Sequence, residues 1–105
     1  MNLPKVIADL INAQYHYDSA AYANCFSETA TVIDERKTYN GRTEIQQWIK
    51  KANEEFKTVM KPVEYSETEE ILKAEVSGNF DGSPVILNYH FELKEGLIQY
   101  LKTTG

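Results

Sequence analysis

The sequence predicts an α+β fold in which helices come first and an antiparallel sheet comes last. Three observations carry that prediction. Apolar residues recur at helical spacing in several stretches before Phe56. From Val59 onward the pattern switches to period two, broken by turn signals such as Asp81-Gly82 and Glu95-Gly96. The chain has 105 residues, 42 % of them hydrophobic, which suits one ordinary globular domain over residues 1–105.

The first helix is predicted over residues 3–17. Val6, Ile7, Leu10, Ile11 and then Gln14 or Tyr15 form its inward stripe, and Pro4 suits its first turn. Asp18-Ser19 ends this helix and can cap a short second one over residues 19–26, where Ala20, Ala21, Ala23 and Phe26 pack. Ser27-Glu28-Thr29 reads as a turn. Residues 30–34, Ala-Thr-Val-Ile-Asp, read as a strand through their β-branched residues. Residues 35–40 read as polar loop. Asn40-Gly41 is a turn signal, and Thr43 with Gln46 three residues on forms a capping box. The helix predicted over 44–56 carries Ile45, Trp48, Ile49, Ala52 and Phe56 on one stripe. Strands follow near 61–69, 71–81, 85–94 and 97–103. The predicted order is α-α-β-α-β-β-β-β. A curved sheet around helices leaves a concave cavity, a common place for a small-molecule site.

Eleven basic residues against sixteen acidic ones give a net charge of −5. The basic residues are scattered, so nucleic acid is not an expected partner. No apolar run has the length of a membrane span, and the first residues, Met1 to Lys5, lack a signal-peptide pattern. The expectation is therefore no membrane partner and a cytoplasmic location. The one cysteine, Cys25, cannot form an internal disulfide and reads as a buried, inert thiol. No His/Cys/Asp/Glu group has metal spacing and no glycine-rich loop joins a strand to a helix, so neither metal nor cofactor is expected.

Three stretches, in order along nearly the whole chain, resemble one known family. The first is Asp18, Tyr22, Phe26 and the strand ending in Asp34. The second is Gly41-Arg42-Thr43-Glu44-Ile45 leading to Trp48-Ile49. The third runs from Val76 through Asp81-Gly82-Ser83-Pro84 to Leu87, Tyr89, Phe91, Leu93 and Gly96-Leu97-Ile98. The chain resembles the SnoaL-like branch of the nuclear transport factor 2-like superfamily. The resemblance implies a cystatin-like cone: N-terminal helices packed on a curved antiparallel sheet. It does not imply one activity, because this fold hosts cyclases, isomerases, dehydratases and binding modules.

Asp34 is the first candidate for chemistry. Alternation puts it on the face of Ala30 and Val32, and a carboxylate among apolar groups is a usable proton acceptor or donor. The resemblance implies a general base at this position. The plainer reading is a solvated acid, or one paired with Arg36 or Arg42. Tyr89 is the second candidate. Val85, Leu87, Tyr89, Phe91 and Leu93 form the apolar face of their strand, which should meet the helices and the cavity. A buried Tyr there needs a partner for its hydroxyl, and it serves equally as core or as a donor to a ligand oxygen. Tyr15, Trp48, His16 and Phe91 are the expected ligand-binding residues, Tyr15 and Trp48 from inward helix stripes. His16 equally suits a helix C-terminus by its charge. Asn88, His90 and Glu92 point to the outer sheet face, which the resemblance implies is a homodimer surface.

Ketosteroid isomerase shares the implied fold and uses an Asp base beside a Tyr and a protonated Asp. The resemblance places its base on Asp34, its protonated acid on Tyr89 and its helix tyrosine on Leu10. Leu10 cannot donate a hydrogen bond, so steroid isomerisation is not expected. Two function classes stay open. One is a protein that binds a small, mostly apolar molecule, in its enzymatic form a cofactor-free isomerase or cyclase transferring a proton next to a carbonyl. The other is a non-catalytic dimeric binding or interaction module.

Overall fold

The computed structural model describes residues 1–105. The elements are α1 (Lys5–Tyr15), α2 (Ser19–Asn24), β1 (Phe26–Asp34), β2 (Lys37–Asn40), α3 (Gly41–Phe56), β3 (Val59–Ser66), β4 (Ile71–Ser77), β5 (Val85–Lys94) and β6 (Leu97–Thr104). The strands form one sheet in the order β2-β1-β6-β5-β4-β3. Its other neighbours pair antiparallel, whereas β1 and β6 run parallel. The helices cover one face of this curved sheet. None of them is long and apolar enough to cross a membrane.

The core lies between helices and sheet. Ile7 and Leu10 of α1, Phe26, Ala30 and Val32 of β1, and Ile45 of α3 are sealed from solvent there. Leu72, Ala74, Phe91 and Leu101 meet them from the sheet. Burying each large side chain is worth about 1.5–3 kcal/mol. Asp18 caps α2 as expected, its carboxylate accepting from the Ala21 N–H at 3.0 Å.

Three local expectations are corrected. The expected turn at Ser27-Glu28-Thr29 is part of β1, with an irregular register against β6. Side chains support the polar stretch: Ser27 Oγ donates to Gln99 Oε1 at 2.7 Å, and Gln99 Nε2 donates to Thr29 O at 3.2 Å. The expected loop at 35–40 is a hairpin, so the order is α-α-β-β-α-β-β-β-β. Its turn is made by Glu35 and Arg36, both at positive φ, as a tight hairpin requires. The third helix starts at Gly41, with φ +82, and Asn40 takes the cap position in place of Thr43. Asn40 Oδ1 accepts from Thr31 Oγ1, while Glu44 Oε1 accepts the Asn40 N–H at 2.9 Å.

Candidate functional site

A cavity of about 1060 Å³ opens between α3 and the sheet, near the C-terminal ends of β1 and β6. Its volume is ample for a small molecule. Three adjacent strands build one wall. Asp34 ends β1, Thr103 lies near the end of β6, and Tyr89 of β5 is the cross-strand partner of Thr103. All three line the cavity. The Thr103 hydroxyl donates to Asp34 Oδ1. Strand alternation explains the grouping, since Ala30, Val32 and Asp34 share the inner face of β1.

Aromatic rings supply much of the remaining surface. Trp48 lines the cavity from α3, as expected. Tyr39 stacks on it at 5.3 Å between ring centres, and Tyr22 meets it edge-on at 6.2 Å. Both tyrosines also line the cavity, and sequence reasoning missed both as site residues. Tyr39 lay in the stretch read as loop; as a strand it faces inward beside Val32. Tyr22 carried only a helical packing signal.

Burial pushes the Tyr89 phenol pKa far above its ordinary value, and the charge of Asp34 adds to the effect. Burial likewise raises Tyr22 well above the ordinary range, with Tyr89 and Asp34 contributing. Both phenols therefore stay protonated and can only donate or accept as neutral hydroxyls. Asp34 is half-buried and its carboxylate has no cationic partner. The Arg36 or Arg42 pairing does not form; Arg42 Nε donates instead to Phe26 O at 2.7 Å.

Three expected ligand-binding residues lie elsewhere. Tyr15 is 78 % exposed. The inward stripe of α1 runs Val6, Ile7, Leu10, Ala13, Gln14, so the helical repeat selects the polar residue and turns Tyr15 out. Gln14 is held by Nε2 donating to Asn53 Oδ1 at 2.9 Å, and it does line the cavity. His16 is exposed at the C-cap of α1, its Nδ1 2.9 Å from Asn12 O. It borders a separate hollow of about 750 Å³ between α1, α2 and the β5–β6 turn. Phe91 stacks on Tyr89 at 6.5 Å but is core, opposite Leu101 and deeper than the cavity wall. On the outer face, His90 Nε2 lies 2.8 Å from Thr104 Oγ1, and Asn88 Nδ2 donates to Gly105 O at 3.4 Å.

No protein-family model matches the chain, and no curated protein does. Solved structures do. A protein from Sinorhizobium meliloti, named by inference as a polyketide cyclase, is 32 % identical with a TM-score of 0.91. That match covers 97 % of this chain and 95 % of the other. A Catenulispora acidiphila protein with a ketosteroid isomerase-like fold, solved with trimethylamine, has a TM-score of 0.85 at 15 % identity. It covers 99 % of this chain and 87 % of its own. The epoxide hydrolase/cyclase-like enzyme of pyran-ring formation in the polyether salinomycin has a TM-score of 0.67 at 17 % identity. It matches 94 % of this chain and 86 % of its own. The last two show the fold; the first, at that identity over nearly the full length of both chains, shows the family. This chain belongs to the SnoaL-like branch of the nuclear transport factor 2-like superfamily.

Proposed function

We propose that the protein binds a small, mostly apolar carbonyl compound in the cavity and moves a proton at the carbon next to the carbonyl. The observation that carries this reading is a cation-free carboxylate, Asp34, sharing one cavity wall with a phenol, Tyr89, that burial keeps protonated. Asp34 removes the proton, and the electron pair moves onto the carbonyl oxygen as an enolate. Tyr89, with Tyr22, donates hydrogen bonds to that oxygen. Asp34 then returns the proton to the same carbon or to a neighbouring one. Donors aimed in advance at a developing oxyanion lower the barrier by several kcal/mol. One similar structure carries the name polyketide cyclase and another epoxide hydrolase/cyclase-like enzyme, which supports an enzymatic use of the cavity.

Two experiments test the reading. A thermal-shift panel of ketones, aromatic acids and polycyclic phenols detects binding. A ligand at 100 times its dissociation constant adds about 2.7 kcal/mol, hence roughly 10 °C for a domain of this size. Proton transfer is then read by NMR as loss of the α-proton signal of a bound ketone in deuterated water. Asp34→Asn should abolish the exchange, and exchange that persists in Asp34→Asn would remove Asp34 as the base.

A second reading concerns the outer sheet face, which no helix covers. Val59 of β3 and Ile86 of β5 are exposed there, and Asn88, His90 and Glu92 continue the Ile86 side of β5. Exposed apolar residues on an open sheet face favour association of two copies through it. This assembly is compatible with either a catalytic or a purely binding cavity.

A further inference from the structure

Gln14 stands apart from the rest of the cavity wall. It is only 5 % exposed, on the inward stripe of α1. Its Nε2 is fully engaged, donating to Asn53 Oδ1 at 2.9 Å and lying 3.3 Å from both Thr58 O and Thr58 Oγ1. Thr58 Oγ1 also donates to Asn53 Oδ1 at 2.8 Å. These contacts fix the orientation of the amide, because Thr58 O can only accept and so selects the nitrogen. The consequence is that Gln14 Oε1 is buried without any hydrogen-bond partner. It is the only buried side-chain polar atom of the protein in that state. Leaving such an acceptor unpaired is costly, and native structures hold few of them.

The position of Gln14 gives the unpaired oxygen a use. Gln14 lines the same cavity as Asp34 and Tyr89. Its partners, Asn53 at the end of α3 and Thr58 before β3, belong to the β3 side of the sheet. Asp34 belongs to the β1–β2 side, with β6, β5 and β4 between. Among the buried side-chain polar atoms, the one without a partner thus lies on the β3 side of the cavity, away from Asp34.

We infer that Gln14 is a specificity residue, whose Oε1 accepts a hydrogen bond from a hydroxyl or N–H at the end of the ligand remote from its carbonyl. The inference rests on the cavity being the small-molecule site proposed above. It narrows the ligand class to an elongated apolar carbonyl compound with a hydrogen-bond donor at its far end. A ligand with only an acceptor there leaves the orphan unpaired and loses affinity. A donor-bearing ligand removes the cost of the orphan as it binds.

The test uses matched pairs differing only in that donor: estrone with estrone methyl ether, and umbelliferone with its methyl ether. Affinities are measured by calorimetry on wild type, Gln14→Met and Asp34→Asn. The expected result is about tenfold tighter binding of the free hydroxyl by wild type. That preference should vanish in Gln14→Met and survive in Asp34→Asn. The wild-type comparison stands even where Gln14→Met folds poorly. Equal binding of both members of each pair overturns the role of Gln14 while leaving the small-molecule cavity intact. A preference that vanishes in Asp34→Asn instead assigns the donor to the other side and also overturns it. Binding of no compound removes the cavity reading and this inference with it.

Discussion

Thr103 connects the two residues on which the chemistry depends. It is the cross-strand partner of Tyr89 and its hydroxyl bonds to Asp34. Removing that hydroxyl frees the carboxylate to rotate away from the cavity. Thr103→Val should therefore slow proton exchange roughly 3- to 10-fold, with Thr103→Ser restoring it, as single hydrogen bonds of this size predict. Equal rates in Thr103→Val and Thr103→Ser would give Thr103 a packing role only. The buried thiol and phenols set a different dependence. Burial, then the charge of Asp9, pushes Cys25 from 9.0 up to about 11. The folded state thus holds this proton more tightly than the unfolded chain does. The resulting stabilisation is complete below about pH 9 and is lost as pH rises toward 11. Tyr22 and Tyr89 act in the same direction, starting from their ordinary value of 10.0. Urea midpoints measured across this range should fall as pH rises, and less steeply in Cys25→Ala. At this scale the cavity-wall positions of Asp34, Tyr89 and Trp48 were legible, because alternation and helical spacing assign a face. Phe91 shares that face with Tyr89 yet is core, since periodicity gives direction and not depth. Tyr15 failed because hydrophobicity favoured it over Gln14, whereas the helical angle favoured Gln14.

The elements hold the cavity open through a few local devices. α2 is only six residues long and depends on Asp18 at its start. Asp18→Ala should cost about 1 kcal/mol. Its melting temperature should fall by roughly 4–8 °C, read by calorimetry. Gly78 follows β4 where the chain passes the end of α3. A Cβ there would lie 2.6 Å from Phe56 O and 3.1 Å from the Phe80 ring. The Asn79 N–H donates to that same carbonyl. Gly78→Ala should therefore destabilise by about 1–3 kcal/mol, the usual cost of overpacking, and disturb the Phe56–Phe80 side of the cavity. Unchanged stability would mean that the α3 terminus yields freely. The Asp81-Gly82 and Glu95-Gly96 turns were legible because each carries a glycine, and Gly82 and Gly96 do take positive φ. The β1–β2 turn escaped because Glu35 and Arg36 adopt positive φ without being turn-formers. Missing that turn also hid Tyr39.

The whole molecule combines a closed core with a wide cavity at one end of the sheet and an uncovered outer face at its back. The outer face leads to the expectation of a homodimer at micromolar concentration, measurable by sedimentation velocity. A monomer there would remove the dimer and leave the cavity untouched. Helix-first order, the switch to period two and turn spacing together made the architecture readable. The extent of the cavity was not, because it depends on how far α3 stands off the sheet, and that distance is set by packing among many side chains at once. Trp48 offers the most direct test of that cavity as the binding site. It is the only tryptophan and it lines the wall facing Asp34 and Tyr89. Its emission should change saturably as a ketone that raises the melting temperature is added, with about tenfold weaker affinity in Tyr89→Phe. A ketone that stabilises the protein while leaving Trp48 emission unchanged, or that binds Tyr89→Phe equally well, would contradict the account.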